Sequence, residues 1–220
     1  MIVVSILAAF GLDTWWDTQV ETRRVRAQLE ALHTEFNTTR DELSELLVRL
    51  ESLRTAVAAI LPLVGPDTDV VPTDSINYLI DRSFRLGTVE LKTGSVQALL
   101  ASGDLVSIEN PLLKALIAGW PAEVSDLRAQ TRLMEANREL IIDDLHDRLP
   151  TLDVTHHTGQ MDRYPRSSFS VSAEGFQRDM RMEGLFANRG MMVEDTDQIV
   201  AALHQLASHA LQLLQAELDE

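Results

Sequence analysis

The sequence contains no cysteine and has few aromatic residues, glycines and prolines. Without cysteine, the chain can form no disulfide, no thiolate-zinc site and no cysteine nucleophile. Aromatic residues make up 5% of the 220 residues, and there are 10 glycines and 7 prolines. This scarcity, together with many Leu, Ala, Glu and Arg residues, favours helices over sheets. The chain is also long enough to bury a hydrophobic core.

Basic charge is scarce as well. The sequence has 19 basic residues against 34 acidic ones, which gives a net charge of −15, and only two of the basic residues are lysines. The basic residues are dispersed along the chain, whereas a protein that binds nucleic acid needs a basic stripe to meet phosphates. We therefore expect no nucleic-acid partner.

Motifs that specify a reaction are missing too. The chain has no Gly-x-Gly-x-x-Gly loop, no Gly-Lys pair for a phosphate-binding loop, no Gly-x-Ser-x-Gly and no His-Glu-x-x-His. We therefore predict no catalytic residue, no metal site and no cofactor.

One alternative remains open, a metal-binding or enzymatic helical bundle. Glu30 and His33, and likewise Asp143 and His146, have the spacing of ligand pairs in di-iron bundles. Glu30 and His33 flank apolar core positions, however, so we expect them to face solvent.

The apolar start of the chain is short and ends in two tryptophans. No charge precedes Asp13, and twelve helical residues cover only about 18 Å of the roughly 30 Å of a bilayer core. A signal peptide would need a basic flank and a cleavage site, and the segment has neither. Tryptophan prefers the membrane–water interface. We therefore predict that residues 1–16 are the exit half of a transmembrane helix, contacting lipid, with Trp15 and Trp16 as interface anchors. A buried amphipathic start and an interfacial helix are the alternatives.

A heptad pattern follows the tryptophan pair. One core position is occupied by Leu29, Phe36, Leu43, Leu50 and Val57, and the other by Val25, Leu32, Leu46, Leu53 and Ile60. The series is interrupted at Thr39 alone, and no proline or glycine occurs between residues 12 and 61. This pattern predicts one continuous helix, ended by Pro62. A heptad can also pair with a second copy of the chain or with a helical protein partner.

The next segment is divided by residues that begin and end helices. Gly103 can end a helix in the left-handed conformation, and Asp104 can cap the following turn. Asn110 followed by proline is typical of a helix start. Trp120–Pro121 predicts an elbow into a new helix over about 122–149, because the residue before proline disfavours helical backbone angles.

The last third of the chain predicts an irregular stretch and then two helices. Residues 150–172 carry prolines, a glycine and a serine run. A short helix should end near Gly190, and a final helix over about 195–218 opens with Asp195 and Gln198 in capping-box spacing.

The predicted fold class is all-α, with a long N-terminal, membrane-proximal helix leading into an antiparallel helical bundle. We divide the chain into an anchor (1–16), a heptad helix (17–61) and a bundle domain that packs on that helix (62–220).

Two segments resemble a known family. "VVSILAAFGLDTWWDTQ" and "TGSVQALLASGDLVSIENPLLKALIAGWP" are similar to an uncharacterised bacterial family of single-pass membrane proteins with a domain of unknown function. In that family an apolar span ends in an Asp-x-Trp motif, here Asp13 and Trp15, and a Ser-Gly-Asp-Leu segment and a Trp-Pro pair follow. The family's basic flank before the span has no counterpart here. The resemblance implies placement and architecture, and it implies no activity.

These observations predict a non-enzymatic, membrane-anchored helical module for protein–protein interaction, scaffolding or sensing in the bacterial envelope. The alternatives are the metal-binding bundle and a soluble coiled-coil adaptor. Arg23, Arg24 and Arg26 favour a cytoplasmic domain by the positive-inside rule, whereas the resemblance favours a periplasmic one. We expect a single-pass protein of the inner membrane with an outward-facing domain.

Overall fold

A computed structural model describes residues 2–87, 89–157 and 163–219, with side chains described for all of these except 2–14, 17 and 18. The fold is all-α: a long N-terminal helix packs against other helices in a bundle, and the described residues contain no strand. The α-helices are α1 (Ile2–Ile60), α2 (Thr73–Phe84), α3 (Gly94–Ser102), α4 (Pro111–Leu145), α5 (Thr151–His156), α6 (Glu174–Gln177) and α7 (Met180–Asp219). Short 3-10 segments occupy Leu61–Leu63 and Asp104–Ser107.

The chain divides into two compact units, and α1, α4 and α7 each contribute to both. Unit 1 comprises Met1–Glu42, Leu91–Val124 and Leu203–Glu220. Unit 2 comprises Leu43–Glu90 and Ser125–Ala202. The division into anchor, heptad helix and bundle domain stays a prediction.

The core of unit 1 contains an aromatic pair. Phe36 on α1 meets Trp120 on α4 edge to face, with ring centroids 4.8 Å apart, and both side chains are buried. Such a pair contributes about 0.5–1.5 kcal/mol beyond the burial of its area. Trp120 is therefore a core residue of this unit.

Unit 2 has a larger apolar cluster that joins several helices. Its members are Ile60, Val64, Ile76, Ile80, Ile141, Leu145, Leu149, Val154, Ala173, Phe176, Met182 and Phe186. The side-chain amide of Gln177, itself buried, donates to the carbonyls of Leu63 (2.9 Å) and Asp69 (3.0 Å). These bonds fix residues 63–69, most of which lie outside regular secondary structure and so cannot satisfy their backbone groups within a helix.

The heptad prediction is confirmed. Helix α1 runs without a break to Ile60, and the predicted core positions from Leu29 onward are buried. Even Thr39, which interrupts the apolar series, is 1% exposed. The stripe is covered by helices of the same chain, so a second copy of the chain would have to use another surface.

The predicted elbow at Trp120–Pro121 is wrong, because Pro121 lies inside the continuous helix α4. Proline lacks the N–H that would bond to the carbonyl of Ile117, and in a helix interior this costs about 3 kcal/mol. Ile117, Trp120 and Val124 lie on one face of α4 and are all buried. Burial of this face offsets the cost, so the helix continues.

The predicted helix end near Gly190 is also wrong. Helix α7 continues through Gly190, and Asp195 and Gln198 therefore lie in its interior and form no capping box. A Cβ atom at Gly190 would stand 3.4 Å from Cγ1 of Val57. The glycine thus serves the close packing of α7 on α1 in unit 2, which sequence spacing could not distinguish from a helix end.

The predicted caps have mixed outcomes. Asn110 does cap α4, since its Oδ1 accepts bonds from the N–H groups of Leu112 (2.9 Å) and Leu113 (3.2 Å). Gly103 follows α3 in the left-handed conformation, with φ of 79°. The prediction that Asp104 caps the next turn is wrong, because Asp104 lies inside that turn and its carboxylate binds side chains of α1.

Candidate functional site

Trp15 and Trp16 are the predicted site residues, and both are exposed. Their side chains retain 58% and 60% of their accessible surface. The next part of α1 stands clear of the core of unit 1, since residues 20–24 are all exposed, and Leu29 is the first buried residue among those whose side chains are described. Two adjacent exposed tryptophans form an apolar patch that folding of the chain leaves uncovered.

The rest of the predicted anchor lies mostly outside the described part of the chain. Residues 2–16 are helical, but Met1 and the side chains of residues 2–14 are not described. Among the described residues, no helix offers a stretch that is both long and apolar enough to cross a bilayer.

Three of the four residues of the metal-binding alternative are exposed, and His33 is half-buried. Glu30 pairs with Arg26 at 3.3 Å, Asp143 lies on α4, and His146 follows the end of α4. Within residues 2–87, 89–157 and 163–219, no three or more histidine, aspartate or glutamate side chains gather as metal ligands would.

Unit 2 holds a cavity of about 750 Å³. Its volume lies within the roughly 300–1,000 Å³ of small-molecule sites. The wall is formed by the end of α2 with the segment that follows, by one face of α4, by α5 and by Arg189 of α7. Apolar side chains form one part of the wall: Phe84, Leu86, Val89, Met134, Ile142, Leu145 and Val154.

Arg189 is a buried cation in the wall of this cavity. Its side chain is 1% exposed, and its guanidinium donates to the carbonyls of Ser83 (3.1 and 3.2 Å) and Met134 (2.7 Å). No carboxylate among the described residues forms an ion pair with it. The pKa of Arg189 is lowered to about 10, mainly by burial; the charge of Glu135 opposes this change, and the charge of Arg138 adds to it. The group is thus still charged at neutral pH, and its charge is only partly compensated.

A second arginine shares an aromatic ring with Arg189. The guanidinium carbon of Arg189 lies 5.7 Å from the centroid of Phe84, and that of Arg138 lies 5.9 Å from the same centroid. Arg138 also pairs with Glu135 one helical turn away. Two cations beside one ring repel each other, and a single carboxylate offsets only part of that repulsion.

The remaining charges of the wall are also mainly positive. Arg85, Arg128 and Arg132 are exposed, so they lie where the cavity meets solvent. Arg85 is paired with Asp81. In total, five arginines face three carboxylates here, although the whole chain has a net charge of −15. The cavity therefore combines an apolar wall with an excess of positive charge.

Sequence analysis missed this cluster, because the arginines look dispersed along the chain. Part of the signal was present, since Arg128, Arg132, Glu135 and Arg138 recur at intervals that bring them to one side of a helix. Arg85 and Arg189 come from distant parts of the sequence, and only the fold brings them to α4.

We compared the chain with protein-family models, with curated proteins and with solved structures, and none of them matches it.

Proposed function

We propose that the chain is a non-enzymatic helical module attached to the bacterial inner membrane through residues 1–16. At the membrane it would serve in protein–protein interaction, scaffolding or sensing. The exposed pair Trp15 and Trp16 carries the proposal, because a tryptophan ring places its apolar body in lipid and its N–H in water.

Three arginines that follow the tryptophans also support membrane attachment. Arg23, Arg24 and Arg26 are exposed and lie about two to three helical turns beyond the pair. Arg24 pairs with Glu21 and Asp104, and Arg26 pairs with Glu30, so these two would share their charge with the headgroups. Guanidinium groups near a membrane surface are attracted to anionic headgroups. The helix would thus have an apolar end in the bilayer and a polar continuation outside it.

Tryptophan fluorescence of the full chain tests the attachment. We would mix the protein with vesicles of zwitterionic and anionic phospholipids that carry brominated acyl chains, which quench tryptophan on contact. We expect quenching in the wild type and in Trp120→Phe, since both keep the exposed pair. The double variant Trp15→Phe, Trp16→Phe should lose it, because its remaining tryptophan, Trp120, is 2% exposed in the core of unit 1.

Unquenched emission from the Trp120→Phe variant, at vesicle concentrations that saturate other membrane-binding helices, would refute the proposal. Circular dichroism of each variant checks that the helices are intact. We also propose the periplasmic orientation that the family resemblance implies, and a reporter fused to the C-terminus that is active only outside the cytoplasm tests it against the cytoplasmic orientation that the arginines favour.

A further inference from the structure

We propose that the cavity of unit 2 binds an amphipathic organic anion, with an oxyanion headgroup among the arginines and an apolar body against the hydrophobic wall. This inference goes beyond membrane attachment and does not depend on it. It names a small-molecule ligand, and it assigns the headgroup to Arg132, Arg138 and Arg189.

The headgroup position follows from the charges. Arg189 is buried without an ion-pair partner among the described residues, and Arg138 stands beside the same Phe84 ring. Arg132 lines the cavity from α4 and has no ion pair in the described part of the chain. An anion between these groups would relieve the repulsion between Arg138 and Arg189. Guanidinium also matches carboxylates and phosphates in a two-bond geometry.

The body of the ligand follows from the other wall. Phe84, Val89 and Ile142 line the cavity and are only half-buried, so part of their apolar surface is accessible from it. An inorganic anion alone would leave this surface in contact with water, whereas an aliphatic or aromatic body would cover it. The ligand therefore needs both parts.

Arg189 also stabilises the fold, since it binds the carbonyl of Ser83 close to the end of α2. Loss of binding in an Arg189 variant could thus come from damaged structure. The test therefore relies on Arg132 and Arg138, which are on the exposed side of the wall and make no bond to a buried carbonyl.

Calorimetric titration of the full chain with dodecanoate, dodecyl phosphate, dodecanol and acetate tests the ligand class. We expect at least one of the two charged amphiphiles to bind one molecule per chain, and the comparison between them distinguishes a carboxylate from a phosphate headgroup. Dodecanol lacks the charge and acetate lacks the body, so each should bind at least about tenfold more weakly.

Variants locate the binding. The double variant Arg132→Gln, Arg138→Gln should weaken it by about tenfold or more, because each guanidinium contributes charge-assisted hydrogen bonds. Thr131→Trp keeps every charge but fills the cavity, so it should abolish binding. The matched control is Arg178→Gln, an exposed arginine of unit 2 outside the cavity, which should bind like the wild type.

Binding that is equal in the wild type, in Thr131→Trp and in the double variant would show adsorption elsewhere and overturn the proposal. Absence of binding by both charged amphiphiles to the folded wild type would also overturn it. Thermal unfolding of each variant, followed by circular dichroism, confirms that the protein measured is folded.

Discussion

Each unit contains a helix end that a charged side chain of another helix satisfies, and the two examples differ in the sign and the burial of that charge. In unit 1, carboxylates accept bonds from backbone N–H groups at helix starts. Glu35 on α1 accepts from the N–H groups of Ser95 (2.7 Å) and Val96 (3.3 Å) in the first turn of α3. Glu217 near the end of α7 accepts from the N–H groups of Glu109 and Asn110, just before α4. Both arrangements suit the positive end of a helix dipole.

Unit 2 also has a carboxylate at a helix start, since Asp179 accepts from the N–H of Arg181 in the first turn of α7 (2.7 Å), but in addition it places a buried cation at a helix end. Arg189 donates to the carbonyl of Ser83, next to the last residue of α2, where carbonyls lack partners within the helix. Glu35 and Glu217 of unit 1 are only partly buried, so water shares in solvating them. Arg189 is 1% exposed, and its charge lacks that compensation.

This difference supports the ligand site that we propose in unit 2. Glu35 and Glu217 of unit 1 are bound by backbone N–H groups of the same chain. The arginines around the cavity of unit 2 outnumber the carboxylates there, so a bound anion would compensate the excess positive charge. Three predictions test this contrast, from the largest expected effect to the smallest.

Arg189→Ala should give the largest loss of stability. It would leave the carbonyl of Ser83 without its partner and would remove a second bond from the carbonyl of Met134, which lies within α4. The free energy of unfolding should therefore fall by about 3 kcal/mol. Urea unfolding followed by circular dichroism measures the change. Arg178→Ala, which removes an exposed partner of Glu174, should change it by less than about 0.5 kcal/mol. A loss equal to that of the control would mean that Arg189 does not hold the end of α2.

Glycine substitutions should affect both units alike, because their effect is set by the backbone. Gly103 in unit 1 and Gly87 in unit 2 have φ of 79° and 75°. Alanine at either position should lower the free energy of unfolding by about 1–2 kcal/mol. The matched controls Gly119→Ala and Gly184→Ala lie within helices and have open space for a Cβ, so they should raise it by about 0.5–1 kcal/mol. Urea midpoints of the four variants test this reversal of sign, and a loss at the control positions would contradict it.

Asp104→Asn should give the smallest effect, and one that depends on pH. Bonds from Gln28 and Ser102, together with the charge of Arg24, lower the pKa of Asp104 below its ordinary 3.8. A carboxyl whose pKa is lowered on folding stabilises the protein above that ordinary value, and the contribution disappears as pH falls through the folded pKa. The variant should therefore be less stable than the wild type at neutral pH and equal to it in strong acid.

Urea midpoints at both pH values measure this difference. Glu123→Gln, an exposed carboxylate of unit 1, is the control and should leave the midpoint unchanged at either pH. A deficit of Asp104→Asn that persists in strong acid would show that the charge of Asp104 is not the cause.

Periodicity and local capping could be read from the sequence. The heptad of α1 was predictable, because apolar residues that recur every three or four positions lie on one face of a helix, and packing against other helices removes that face from water. The Asn110 cap and the left-handed Gly103 were predictable as well, since both depend on a few neighbouring residues. The exposure of Trp15 and Trp16 agrees with the expected anchor, and their contact with lipid stays a prediction.

The sequence by itself determined the helical class, the length of α1 and the excess of acidic charge, because these depend on composition and on spacing along the chain. Only the tertiary structure decided that α4 continues through Pro121, that Gly190 lies in a helix packed on Val57, and that Arg189 joins the arginines of α4. In each case, packing between distant segments outweighed or redirected a local preference of a few kcal/mol at most. The cavity and its charge exist only once those segments have met.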